Sequence, residues 1–328
     1  CIANALGAQP GRYAGANTPD LTTLSGLQQG GKLGRTDGPQ VADLCVLQRV
    51  TARFALCVLG DVVGQFGQCF GGANADTGRD ADPLVDAPAY DAGAANQIAV
   101  DAAQVDQVMT GDRGLWQSAQ AGDTVFLCPT LGPKDVIQFA EQTQSRGISL
   151  IDAPMSGGPV RAREGQMSLM LAGNLSVLHA HQALLDAITT HRFLIGETPG
   201  DAAKTKLANN LLAAINLAGA SEVLAMAQSW GLDPQTTLNV MQASSGQSWI
   251  GQDRLTRALQ NDFEPRAHTS LLTKDTRLAL DACDWLQVST PALGAMAAQQ
   301  FAQACEQGFT EKDDASLFLF AGGKPKQD

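Results

Sequence analysis

From Gln97 onward, apolar and polar positions recur with regular periods, and the elements can be read in order. Ile98 to Val100 reads as the end of a short buried strand. Asp101 to Met109 suits a helix with Val105 and Met109 on one face, because residues four apart lie one above the other. Thr124 to Leu127 is a strand with Val125, Phe126 and Leu127 as its apolar centre. Thr130 to Pro133 is a turn. Val136 to Arg146 is helical, with Val136, Phe139 and Ala140 spaced for one face, and Gly147 closes it because glycine tolerates a left-handed backbone. Ser149 to Asp152 is the next strand. Strands separated by a helix of this length pair in parallel through right-handed crossovers. This is the pattern of the second half of a doubly wound α/β domain, where ligands lie beyond the carboxyl ends of the strands.

Beyond residue 197 the pattern turns helical. A helix from about Pro199 to Trp230, ended by Gly231, spans roughly 45 Å at 1.5 Å per residue. Leu207, Leu211, Leu212, Ile215, Ala218 and Leu224 cover a wide arc, so much of its surface is predicted to be buried. Asp233-Pro234 starts another helix, with Asp as N-cap and Pro in the first turn. The remainder to about Ala304 is mostly helical, and Leu293, Met296 and Phe301 form a further apolar stripe. The expected organisation is α/β plus all-α: a doubly wound region over 1–197, then a helical region over 198–328 joined to it by the long helix. The cleft between them is the expected site.

Residues 1–97 read differently. They hold no Glu, Met, Trp or His, and all seven Met, all four Trp and all seven Glu of the chain come later. Gly60, Gly64 and Gly67 follow a plausible strand, Phe54 to Leu59. Their spacing is not G-x-G-x-x-G and no helical pattern follows, so no phosphate-binding fingerprint is read there.

Composition narrows the function classes. At 328 residues the chain can hold two domains. Its net charge of -11 opposes a nucleic-acid partner, which needs a basic face. No apolar run reaches the ~20 residues that span a bilayer, so no membrane partner is expected. Cys1 to Pro10 lack the basic segment and long apolar core of a secretory leader. The seven cysteines are odd in number and include no C-x-x-C pair, which points to reduced thiols and a cytoplasmic setting. His179 and His181, two apart in a helical stretch, read as surface residues, and no metal site is predicted.

Two segments carry the candidate chemistry. Ser156-Gly157-Gly158 follows a strand and begins a turn. Glycines there let the backbone approach a ligand and leave N–H groups free for a carboxylate, and Ser156 adds a hydroxyl. Lys206 and Asn210 are four apart and share one helix face with Leu207 and Leu211. A lysine on such a face can serve as acid/base once burial lowers its pKa. Lys204 projects elsewhere and reads as solvent-facing.

The run Asp152-Ala153-Pro154-Met155-Ser156-Gly157-Gly158, then Gly165, Gly200, Lys206 and Asn210, resembles the β-hydroxyacid dehydrogenase family in order and spacing. Members include 3-hydroxyisobutyrate, tartronate-semialdehyde-reducing, threonate and 6-phosphogluconate dehydrogenases. The resemblance covers about Ile98 to Ser316 and extends through Arg161, Ala162, Gly165, Met167 and Met170. It implies a Rossmann-like first domain, an NAD or NADP cofactor and a small hydroxy-acid substrate. It makes Lys206 the acid/base, Asn210 the residue that orients the substrate, and Ser156, Gly157 and Gly158 the carboxylate loop. Thr130 and Pro133 resemble the S-T-x-x-P turn beside the nicotinamide, with Pro129 in place of the usual serine. Val100-Asp101-Ala102 resembles the loop over the adenine-side ribose and pyrophosphate. Lys274-Asp275 resembles a K-D pair whose lysine reaches cofactor or substrate. Ser244 to Trp249 resembles the S-x-G-x-S-W element of the threonate branch, which brings Ser248 toward the substrate and, with Arg161, favours a polyhydroxy acid. The resemblance also implies a homodimer or homotetramer assembled through the helical domain. Two alternatives stand beside it: a non-catalytic member with a defective cofactor half, and an imine reductase of the same broad fold.

Overall fold

A computed structural model of the chain describes residues 55–58, 101–112, 114–189 and 191–325. The strand end at Ile98 to Val100 and the glycines at 60, 64 and 67 lie outside the described residues. Strand β1 (Ala55–Val58) falls inside the apolar run read at Phe54 to Leu59.

β1 pairs in parallel with β2 (Thr124–Leu127), and β2 pairs in parallel with β3 (Ser149–Asp152), both with the bounds read from the sequence. Helix α1 (Ala102–Thr110) precedes β2 and buries Val105 and Met109. Helix α2 (Pro133–Gln144) joins β2 to β3 and buries Val136 and Phe139. It starts one turn earlier than the apolar spacing indicates, because Pro133 sits at the first helical position, where a missing N–H costs nothing. Gly147 follows it with φ +71°. Side chains of α1, α2, β2 and β3 form one core around Val105, Met109, Val125, Leu127 and Phe139.

Beyond β3 the sheet changes character. β4 (Met155–Ser156) and β5 (Ser168–Ala172) pair antiparallel, β5 lies antiparallel to β3, and β6 (His191–Gly196) returns parallel to β5. A short helix, α3 (Gly158–Arg163), separates β4 from β5. Helices α4 (Leu175–Ala180) and α5 (Gln182–Ile188) lie between β5 and β6. His181, read as a surface residue, is instead half-buried at the α4–α5 junction. Its ring meets Phe126 edge-on with centroids 5.5 Å apart.

The long helix α6 (Asp201–Ser229) is the axis of the helical region. One seam of heptad spacing is buried and another, on the other side, is exposed. Ala203, Leu207, Asn210, Ala214, Leu217, Ser221 and Leu224 are buried. Leu212, Val223, Met226 and Trp230 are exposed, at 57%, 46%, 41% and 68%. Leu212, expected inside, is therefore on the outer seam, two positions from buried Asn210 and so about 200° around the helix. The helix is also long and apolar enough to cross a membrane by length and composition, although no such run was read from the sequence. Half of its most apolar window is buried within the fold.

Helices α7 (Pro234–Gln242), α8 (Trp249–Leu259), α9 (Thr269–Leu286) and α10 (Ala292–Ala304) pack around it. Asp233 caps α7 by accepting the Thr236 N–H at 2.8 Å. Phe301, read in one apolar stripe with Leu293 and Met296, is fully buried in a core shared with Leu217 and Leu272, while Leu293 and Met296 are exposed. Burying a side chain of that size contributes about 1.5–3 kcal/mol over leaving it in water.

One carboxylate ties the two regions. Asp152, the last residue of β3, is 1% exposed. Its Oδ2 accepts the backbone N–H groups of Gly200 at 2.8 Å and Ala203 at 2.9 Å. A strand residue thus caps α6 from 48 positions away, where the helix dipole favours negative charge. Gly200 turns the chain with φ +98°, and a Cβ there would press on Pro133 O and Ile137 at 3.3 Å. Burial raises the Asp152 pKa to about 6, against the lowering by the amide donors. The folded state therefore holds this proton more tightly than the unfolded chain. Between about pH 4 and pH 6, stability falls as pH rises, by up to about 3 kcal/mol from this group. Asp314, buried and likewise raised to about 6, acts in the same direction. Thermal unfolding of wild type across that window should show this slope. Asp152→Asn keeps an acceptor for the cap and should flatten the slope in part, leaving the Asp314 share; an unchanged slope would remove Asp152 from the linkage.

Candidate active site

The site is assembled where β3, the turn after β4 and the first turns of α6 meet. After β4 the chain turns through Gly157 at φ +140° and Gly158 at φ +71°. Both conformations suit glycine. At Gly157 a Cβ would also lie 3.0 Å from the Arg161 stem. Ser156 is half-buried at the head of this turn.

Lys206 and Asn210 face the same space from α6. Lys206 is 7% exposed and Asn210 8%. Lys204, by contrast, pairs with Asp201 at 2.9 Å and is 39% exposed. A cleft of about 1000 Å³ is lined by Ser156, Gly157, Gly158, Lys206 and Asn210, with Cys128 and Thr130 at the carboxyl end of β2. Of the residues read as the substrate and proton-transfer set, all but Ser248 line this one cleft.

A chain of polar contacts fixes one wall. Asn210 Nδ2 donates to Asp275 Oδ2 at 2.6 Å, and Asn210 Oδ1 accepts from Asn209 Nδ2 at 3.1 Å. Asp275 Oδ1 lies 2.9 Å from Lys274 Nζ. Lys274 Nζ in turn donates to the Thr130 carbonyl at 2.8 Å. The turn after β2 is thereby joined to α9 and on to α6.

The remaining candidates are placed differently. Val100 lies outside the described residues. Asp101 caps α1, accepting the Gln104 N–H at 2.8 Å, and is not among the cleft-lining residues. Ser248 caps α8, accepting the Gly251 N–H at 3.1 Å, and the neighbouring Trp249 lines the cleft instead.

Sequence reading missed a second polar wall. Trp249, Ile250, Asp253 and Arg254 line the cleft from the first turns of α8. The Arg161 guanidinium lies 5.2 Å from the Trp249 ring centroid and that of Arg254 lies 6.0 Å away. Arg254 Nε donates to Asp314 Oδ1 at 2.5 Å, and Nη1 to Asp253 Oδ2 at 2.6 Å. The spacing of Trp249 and Asp253 on one helix face was available locally. The pairing of Arg254 with Asp314, 60 positions on, left no local signal.

The described part of the cleft fits the nicotinamide end of a dinucleotide. Val58, Leu127 and Asp152 lie side by side at the carboxyl ends of three parallel strands. Cys128 and Thr130 open from that edge into the space that Lys206 faces. This is the edge at which open parallel sheets bind such ligands.

Comparison with known proteins agrees with this layout. Residues 94–196 match the family described as the NAD binding domain of 6-phosphogluconate dehydrogenase. Residues 200–320 match the family described as NAD-binding of NADP-dependent 3-hydroxyisobutyrate dehydrogenase. An L-threonate dehydrogenase of Cupriavidus necator is 30% identical over 226 residues, covering 69% of this chain and 76% of that one. A 2-hydroxy-3-oxopropionate reductase of Escherichia coli is 29% identical over 217 residues, covering 66% and 74%. The crystal structure of a 3-hydroxyisobutyrate dehydrogenase from Salmonella typhimurium superposes with a TM-score of 0.63 at 28% identity, covering 68% of this chain and 77% of that one.

Proposed function

Because the chain belongs to the β-hydroxyacid dehydrogenase family, we propose that it is a working NAD(P)-dependent enzyme that oxidises the hydroxyl of a small β-hydroxy acid. The observation that carries this reading is the buried pair Lys206 and Asn210, which faces one cleft with the Ser156-Gly157-Gly158 turn and Thr130. In this reading residues 1–197 bind the cofactor and residues 198–328 complete the substrate site. Threonate-, 3-hydroxyisobutyrate- and tartronate-semialdehyde-type acids are the candidate substrates.

Each residue then has a distinct task. The Ser156 hydroxyl and the amides of Gly157 and Gly158 receive the carboxylate. Asn210, its amide held by Asp275 and Asn209, orients the substrate hydroxyl. Lys206 takes the hydroxyl proton as the C–H hydride departs, and returns it in the reverse direction. NAD(P)⁺ supplies the hydride acceptor when bound. Thr130, its carbonyl held by Lys274, would lie beside the nicotinamide of the bound cofactor. The alternative of a defective cofactor half is met by one titration. Nicotinamide fluorescence of NADH or NADPH should change on adding the purified chain, and no change with either would favour that alternative.

Two substitutions test the proton-transfer assignment. Lys206→Ala should lower kcat by about 10²- to 10⁴-fold with an unchanged melting temperature. Lys204→Ala should change little, and a Lys206→Ala enzyme above half of wild-type kcat would exclude the role. Asp275→Ala frees the Asn210 amide and should lower kcat/KM by roughly tenfold or more, as expected for losing a charge-assisted hydrogen bond.

The same reading includes assembly. Val223, Met226 and Trp230 of α6 and Leu293 and Met296 of α10 are large apolar side chains exposed to solvent. Exposed apolar side chains in such number mark a partner face, and symmetric homo-oligomers are the commonest solution. A homodimer or homotetramer is therefore expected. Light scattering at micromolar concentration should exceed the 34.2 kDa of one chain; a single monomeric species would refute it.

A further inference from the structure

The second polar wall of the cleft has no task in the reaction as derived. Its first turns present Trp249, Asp253 and Arg254 to the substrate space. The wall adjoins the carboxylate turn: the Arg161 stem packs beside Gly157, and the Arg161 guanidinium reaches the Trp249 ring. One turn along α8 from Trp249 stands Asp253, 39% exposed.

The contacts of Asp253 are one-sided. Arg254 Nη1 at 2.6 Å and Arg257 Nε at 3.4 Å both donate to Oδ2. No described residue donates to Oδ1. Arg254 is in turn bonded through Nε and Nη2 to Asp314, at 2.5 and 3.3 Å. Its charge is thus compensated within the protein. What the wall offers is an open carboxylate oxygen, held in place by an arginine whose own position is set by a buried carboxylate. An oxygen of that kind accepts strongly from hydroxyl groups and repels carboxylates and phosphates.

We propose that Asp253 determines substrate specificity by accepting, through Oδ1, a substrate hydroxyl other than the one being oxidised. The preferred substrate is then a small monocarboxylic acid with at least two hydroxyls. This deepens the dehydrogenase reading above and rests on it. Arg254 is a positioning residue for Asp253, and Trp249 forms the apolar floor beside them.

The test compares threonate, which has further hydroxyls, with 3-hydroxyisobutyrate, which has one. Wild type should have the higher kcat/KM on threonate. Asp253→Leu should lose at least tenfold of that ratio, and the loss should fall on threonate. Threonate should also quench tryptophan emission in wild type, and Trp249→Phe should abolish the quench. Asp253→Asn, which keeps the side chain's shape, replaces the leucine variant if that one melts early. Equal losses on both acids would mark Asp253 as merely structural and overturn the proposal, as would an unchanged ratio; in either case the dehydrogenase reading survives. Wild type that turns over neither acid would overturn both.

Discussion

Most of what places the chemistry in this protein follows from one buried carboxylate. Asp152 ends a strand and receives two amide N–H groups from the start of α6. Removing a carboxylate from water is expensive, and the raised pKa of about 6 records that expense. The two donors and the positive end of the helix offset it. The geometry that results leaves little freedom. The first turn of α6 must stand at the carboxyl edge of the sheet, so Lys206, four residues beyond Ala202, faces the space beside β2 and β4. Gly200 permits this approach because any Cβ would meet α2.

A second linkage works from the other side. Lys274 holds the carbonyl of Thr130 and lies against Asp275, which holds Asn210. Three segments far apart in the chain share one chain of charge-assisted contacts. In low-dielectric surroundings such contacts are strong when complete and costly when broken. The turn after β2 and the Lys206 face of α6 are therefore set relative to one another by side chains rather than by backbone pairing. The wall on α8 follows the same logic, with Asp314 holding Arg254 and Arg254 holding Asp253.

Local order was legible where one physical signal dominated. β2 and β3 are short, apolar and bounded by turn residues, and their limits agree with those read from the pattern. The α7 start at Asp233-Pro234 was legible because a cap and a proline act within one turn. Lys206 and Asn210 were legible as a pair because four residues make roughly one helical turn. Asp101 and Ser248 show the limit of that approach. Their residue types fit ligand contact and helix capping equally well, and here both oxygens cap helices.

The long helix shows where sequence stops deciding. Its composition and length determine that a helix forms from about Pro199 to Gly231, and that it is apolar nearly all round. They do not determine which side is inside. Leu207 and Leu212 are the same residue type five positions apart; one is 2% exposed and the other 57%. Phe301 and Met296 divide in the same way on α10. The choice depends on which neighbours arrive, and those neighbours come from residues 60 to 90 positions distant, as Leu217 with Phe301 shows. Sequence by itself determined the strands and helices over 101–152, the long helix and the helix after it, the glycine turn at 157–158 and the lysine face, because these rest on local periods and local backbone freedom. Tertiary structure alone decided the capping of α6 by Asp152, the role of Asp275 as a hub and the existence of the α8 wall, because each joins groups whose separation along the chain carries no record of their contact in space.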